Sequence, residues 1–349
     1  MTTFPTIPPL NPENSQELES FVLALPKVEN HLHLEGAITL DAYLSVIPRE
    51  FGWKPEAWLP DFRYPSFHDF EQFIFKYGEA WFRSPERYAA TARELFQVKL
   101  GEQVEYLEIS FAAVVCQMFD IPIRELVEAV LAEVPTNLEV RLFMGLHHDT
   151  GEGPLAPQLE EALTLPGLFG IDLHGPEDFP LRPWTLEYWP AARKAGKATK
   201  AHAGELGGPG HVREVVEKLG VQRVEHGFRA IEDPAVVDLL IQEKVTLDVC
   251  PISNFKLKTV KSLEAHPLPK LHRAGVACTV NTDDPFPFGN TLFDDYHCLI
   301  ESMRMEFPEL IQIARNGWEA AFLSAPRKQE TLDRFDAICQ HYGVVPHGS

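Results

Sequence analysis

Val28-Glu29-Asn30-His31-Leu32-His33-Leu34-Glu35-Gly36 is a short apolar run that ends in two histidines one residue apart. Strand side chains alternate between faces with a period of two, so His31 and His33 point the same way. Both imidazoles then reach one metal ion, and neutral imidazole is a common zinc ligand. An H-x-H pair also occurs on ordinary strands; here its weight comes from the polar groups that the rest of the chain supplies.

Upstream, Pro12–Leu25 reads as a short helix, with Asn11 as N-cap and Pro12 at the first helical position. Downstream, residues 36–103 form a long, largely helical segment, crowded with aromatic residues over 51–82. Those rings serve either helix packing or a cover that keeps water out of a pocket. The strand-like runs are Val28–Leu34, Val104–Phe111, Val140–Leu146, Phe169–Leu173, Thr199–Ala203, Arg223–Gly227, Val245–Val249 and Val276–Asn281. Ile123–Glu133, His211–Leu219 and Pro234–Glu243 are helical stretches between them.

Eight strands alternating with helices predict an α/β fold, a closed parallel (β/α)8 TIM barrel. The expected layout is one domain over 1–349, with a helical insertion (36–103) covering the C-terminal face and C-terminal helices over 297–349. Such a barrel places its chemistry at the carboxyl ends of its strands. HLHLEG, IDLHG, HAGE, EHG, CPISN and NTDDP all fall at those ends.

The 349 residues are 45% hydrophobic and 23% charged, enough for an ample core. A net charge of −20 argues against nucleic acid or an anionic membrane as partner. The five cysteines are scattered without C-x-x-C spacing, and Met1–Leu10 lacks the basic and apolar regions of a signal peptide. No run is long enough to span a membrane. Together these features predict a cytoplasmic protein with reduced thiols.

His202 closes the fifth strand and Asp283 the eighth. With His31 and His33 they make three imidazoles and one carboxylate, a set suited to zinc and a water. Zinc makes water acidic enough to act as a nucleophile near neutral pH. His226, at the end of the sixth strand, is placed to take that water's proton or to orient it. Glu205 lies three residues past His202, beside the metal without binding it, and suits proton donation to a ring nitrogen. Asp284 points away from its neighbour Asp283 and is a candidate for a substrate nitrogen.

These motifs are specific in combination. The chain resembles the adenosine deaminase family of metal-dependent aminohydrolases from about Lys27 to Tyr296. PKVENHLHLEGA, GIDLHG, KAHAGE, RVEHGF, CPISN and VNTDDP occur in the family's order. The resemblance implies hydrolytic deamination at C6 of an adenine ring, in a site holding one Zn2+ per chain. It implies that His31, His33, His202 and Asp283 bind the zinc, that Glu205 protonates N1, and that His226 deprotonates and holds the attacking water. The substrate-facing set it implies is His33, Glu35, Gly175 and Asp284, with the Gly175 amide at N3 and Asp284 at N7. Glu35 stands where animal-type members carry Asp, in the position that meets the ribose 5′-hydroxyl.

The default expectation for the substrate is an adenine nucleoside, adenosine or 2′-deoxyadenosine. The alternative is free adenine, or an adenine compound modified at N6 or at the 5′ position. Ser110–Ala113 lacks the Arg or Pro-containing sequence common in adenosine-specific relatives. His174 replaces the family's usual small residue, and faces either the pocket or a neighbouring helix. The fourth strand carries no lysine to bridge two metals, which favours one ion. Asp172 reads as structural, and His147, His148 and His211 as incidental loop or helix-start histidines.

Overall fold

The computed structural model of the chain describes residues 15–148, 150, 156–177 and 180–344. Eight strands form one sheet in chain order: β1 (Lys27–Glu29), β2 (Val104–Ala112), β3 (Glu139–His147), β4 (Leu168–His174), β5 (Ala198–Ala203), β6 (Arg223–His226), β7 (Thr246–Val249) and β8 (Ala277–Val280). Each pairs in parallel with the next, and helices surround them, so the fold is the predicted TIM barrel. The strands bury apolar side chains, among them Ile109, Phe111, Leu142, Leu173, Val224 and Leu247.

The ring closes differently at its seam. The strand expected over Val28–Leu34 keeps a ladder only over Lys27–Glu29, after which Leu32 and His33 make single bridges to Asp283 and Ser110. Side chains supply the other seam bonds. The Asn30 amide donates to Asn281 Oδ1 at 2.7 Å, and the Thr282 amide donates to Glu29 Oε1 at 3.0 Å. Outside the seam, helix Phe307–Ala320 packs on β1 and β8, with Asn316 Nδ2 donating to the Cys278 carbonyl at 2.9 Å.

The first helix, α1, covers Ser15–Ala24; Asn11 and Pro12, its expected start, lie outside the described residues. Between β1 and β2 come α2 (Leu40–Val46), α3 (Phe67–Trp81) and α4 (Pro85–Gly101). Ser66 caps α3 by accepting the Asp69 amide at 3.2 Å, satisfying a donor that the first helical turn leaves free. The aromatic residues of this segment pack on one another and on the barrel, and some of them reach the pocket. Phe70 stacks on Phe288 at 5.1 Å between ring centroids and Tyr43 on Trp53 at 5.3 Å, while Phe67, Phe70 and Phe75 line the pocket at the barrel's mouth. The helix expected over His211–Leu219 starts earlier, because Pro209 suits a first helical turn, and it widens into a π-helix over Val215–Leu219.

Below the mouth, the barrel interior is ionic rather than apolar. Lys200 on β5 approaches Glu225 on β6 at 2.5 Å and Glu108 on β2 at 3.3 Å, while Arg223 on β6 binds Asp248 on β7 through Nε at 2.8 Å. Burial opposes the charge on Lys200, but Glu225 and Glu108 hold its ammonium above the ordinary lysine value. Removing one partner of such a set leaves an uncompensated buried charge. Lys200→Met should therefore destabilise the fold by about 3–5 kcal/mol, measured as a lower urea midpoint with an unchanged slope. The five cysteines are free and buried. Among the described residues, no helix is long and apolar enough to cross a membrane.

Candidate active site

His31 and His33 follow β1, His202 lies on β5 and Asp283 follows β8, so four residues far apart in sequence meet at the mouth of the barrel. The Nε2 atoms of His31 and His33 are 3.2 Å apart, as are those of His33 and His202. Asp283 Oδ1 lies 3.4 Å from His31 Nε2 and 3.3 Å from His33 Nε2. Tetrahedral donors ~2.0–2.1 Å from a zinc ion stand ~3.3–3.4 Å from one another. The His31–His33, His33–His202, His31–Asp283 and His33–Asp283 separations are close to that, and all four donor atoms lie within 4.8 Å of one another.

The outer nitrogens are also accounted for. His31 Nδ1 lies 2.9 Å from Glu225 Oε2, and His202 Nδ1 lies 3.1 Å from the Leu173 carbonyl and 3.3 Å from Asp172 Oδ1. Acceptors there make Nδ1 the donor, which leaves the Nε2 lone pairs converging, as metal ligation requires. Ser110 Oγ stands 2.9 Å from His33 Nδ1, and the Ser253 hydroxyl donates to Asp283 Oδ2 at 2.7 Å. Asp283 and His226 both have left-handed backbones, at φ 68° and 63°. Non-glycine residues are seldom held there, and they cluster at working sites.

Glu205 and His226 meet beside this cluster, with Glu205 Oε2 3.4 Å from His226 Nε2. Asn254 joins them: its Nδ2 donates to Glu205 Oε1 at 2.8 Å and lies 3.2 Å from His226 Nδ1. An amide nitrogen only donates, so His226 Nδ1 accepts and the neutral ring carries its proton on Nε2. Burial pushes His226 well below the ordinary histidine range, which favours that neutral form. Burial, reinforced by the charges of Asp283 and Glu177, pushes the Glu205 carboxyl well above its ordinary range.

The remaining sequence candidates line the same pocket. Glu35 is buried, and its Oε1 accepts the Tyr88 hydroxyl at 2.7 Å and the Ala112 amide at 2.9 Å. Asp284 sits against Gly36, where a Cβ would come within 1.8 Å of Asp284 Oδ1, so only glycine leaves that carboxylate its place. Gly175 and His174 form the opposite wall. His174 lies 5.4 Å from the His33 ring and 5.0 Å from that of His147, and thus faces the pocket. His147, expected to be incidental, lines the pocket as well, because β3 runs through to it and carries it to the mouth. His148 lies behind, where its carbonyl accepts Trp184 Nε1 at 2.8 Å. Phe67, Ile74, Val114 and Met118 make the outer wall apolar. Six carboxylates (Glu35, Glu71, Glu79, Glu205, Asp283 and Asp284) face the cavity, and among the described residues no lysine or arginine does.

A family model described as adenosine deaminase matches residues 26–338. The chain belongs to the adenosine deaminase family. An adenine deaminase from Rhodospirillum rubrum is 31% identical over 334 residues, covering 91% of this chain and 98% of its own length. An aminodeoxyfutalosine deaminase from Streptomyces coelicolor is 30% identical over 342 residues, covering 94% and 88%. The crystal structure of an adenine deaminase from Arthrobacter aurescens matches with a TM-score of 0.81 at 26% identity, over 91% of this chain and 100% of that one. As a member of the adenosine deaminase family, the chain is a hydrolase acting on carbon–nitrogen bonds.

In this deaminase-family barrel several contacts lie outside the sequence reading. Asp172, read there as purely structural, stands against the outer nitrogen of His202. Ser253 and Asn254 belong to CPISN, a motif recognisable by its place at a strand end but silent about its partners. Glu225 is the residue before His226 and shares no motif with His31. Glu177 carried no signal beyond standing two residues after Gly175. Its side chain is 4% exposed and accepts from His211 Nδ1 at 3.0 Å, which gives that histidine a role behind the HAGE turn.

Proposed function

We propose that the chain is a zinc-dependent deaminase of free adenine, converting adenine and water to hypoxanthine and ammonia. The observation that carries this reading is Glu35. The carboxylate in the position that meets a ribose hydroxyl in the family is tied back to Tyr88 and to the Ala112 amide. Likeness to adenine deaminases along nearly the whole chain supports the same choice over the adenosine default. A pocket lined by carboxylates and, among the described residues, by no lysine or arginine argues further that the substrate is a small purine without phosphate.

His31, His33, His202 and Asp283 would hold zinc, which when bound supplies the Lewis acidity that makes water nucleophilic near neutral pH. Glu205, protonated by virtue of its burial, donates to ring N1 and draws electron density from C6. Asn254 fixes one oxygen of that carboxyl and leaves the other free to make the transfer. Of the two roles open to His226, the tautomer supports orientation: its Nε2–H points the attacking oxygen at C6, while Nδ1 is engaged by Asn254. Asp284 and the Gly175 amide take N7 and N3 and hold the ring in register. One proton of the attacking water leaves with the C6 amino group as ammonia, and the other returns to Glu205, replacing the proton that stays on N1 of hypoxanthine.

A second reading, a neutral adenine compound with an apolar substituent at N6 or the 5′ position, is favoured by the apolar outer wall. A panel of adenine, N6-methyladenine, adenosine, 2′-deoxyadenosine, 5′-methylthioadenosine and AMP separates the two by loss of ultraviolet absorbance. Adenine should exceed adenosine in kcat/KM by at least about a hundredfold, with AMP at background. Adenosine turned over as well as adenine would restore the nucleoside reading, and preference for a substituted compound would select the second.

A further inference from the structure

Glu177 lies behind the HAGE turn, and its carboxylate gathers the backbone there. Oε1 accepts the amides of Glu205 at 2.7 Å and Leu206 at 3.1 Å; Oε2 accepts those of Gly204 and Gly207, both at 2.9 Å. His211 Nδ1 adds a fifth contact at 3.0 Å. Four consecutive amides converging on one anion form a nest. Only a carboxylate has the acceptor capacity to fill it, since glutamine would turn an N–H2 group onto other N–H donors. Gly207 makes the approach possible, because a Cβ there would come within 1.9 Å of His211 Nδ1 and 2.5 Å of Glu177 Oε2. Glu177 does not itself line the substrate pocket; it acts on Glu205 through this turn and through its nearby charge.

We propose that Glu177 is a positioning residue of the reaction, holding the 204–207 turn so that the Glu205 carboxyl stands at the substrate ring. The inference rests on the reading of Glu205 as proton donor. A shift of about 1 Å in such a group costs about a hundredfold in rate. Among the described residues the four amides have no acceptor besides Glu177, so releasing them frees Glu205 to move.

The test combines Glu177→Gln, Glu205→Gln and the double variant, assayed on adenine, with zinc content, thermal unfolding and hydrogen exchange of the peptide spanning 204–207. Glu177→Gln should keep zinc and cooperative unfolding, lose amide protection over 204–207, and lose about a hundredfold in kcat. In the Glu205→Gln background, the same change should cost no more than about twofold, because the group being positioned is already gone. An equal loss in both backgrounds would make Glu177 a scaffold residue and overturn the proposal. So would a Glu177→Gln kcat within about twofold of the parent. Normal turnover by Glu205→Gln alone would remove the proton-donor reading and this proposal with it, an outcome distinct from additivity. Should Glu177→Gln not fold, Glu177→Asp keeps the charge and withdraws it by one methylene. It should fold, lose about tenfold in kcat, and show the same dependence on Glu205; independence from Glu205 would overturn the proposal.

Discussion

Glu205→Gln is expected to lose about 10²–10⁴-fold in kcat on adenine while keeping its zinc and its unfolding temperature. Glutamine nearly matches glutamate in volume, and it still accepts the Asn254 hydrogen bond through its carbonyl oxygen. What it lacks is a transferable proton. The carboxyl is buried and pushed well above its ordinary range, and is therefore suited to carry that proton in the resting enzyme. Without it, water must attack an unprotonated purine ring, whose C6 is a far poorer electrophile. Zinc content by elemental analysis, alongside single-turnover rates, separates this loss from damage to the metal site. Near-normal rates in a zinc-loaded variant would take Glu205 out of the mechanism.

Asp283→Asn is expected to weaken zinc binding by more than the ~10–100-fold that loss of an outer-shell partner costs, and turnover should fall in parallel. Asparagine is the informative replacement because Asp283 has φ 68°, a conformation that asparagine tolerates and alanine does not. The seam bridge between Leu32 and Asp283, made by the backbone, is thereby kept. The anionic donor is lost, so three imidazoles alone must hold a dication. Dialysis against a chelator of graded strength, followed by metal analysis, measures the change. A variant that holds zinc as tightly as the parent would remove Asp283 from the ligand set.

Both predictions rest on residues that the chain announces locally. His31 and His33 are recognisable because a period of two places them on one face. Glu205 is recognisable because it follows His202 in a strand-end motif, and Asp283 because it ends the last strand-like run. Asn254 was in view within CPISN, yet nothing in five residues says that its amide spans Glu205 and His226. Glu177 lies 28 residues before Glu205, and their contact depends on how two strand-end loops fold over the same mouth. The first strand ends earlier than its apolar run for a related reason. Its ladder stops after Glu29 because side chains from the far end of the chain, 251 residues from Asn30, take over the bonding.

By itself the sequence determined the barrel and marked out His31, His33, His202, Asp283 and Glu205, which the fold gathers at its mouth. Each is written in a periodicity or a strand-end motif, and backbone geometry acts over only a few residues. Only the tertiary structure decided the tautomer of His226, the tie that holds Glu35, the pocket places of His147 and His174, and the clamp that Glu177 puts on the HAGE turn. Those depend on distances across the ring, between residues that share no local pattern and meet only because eight strands close on one another.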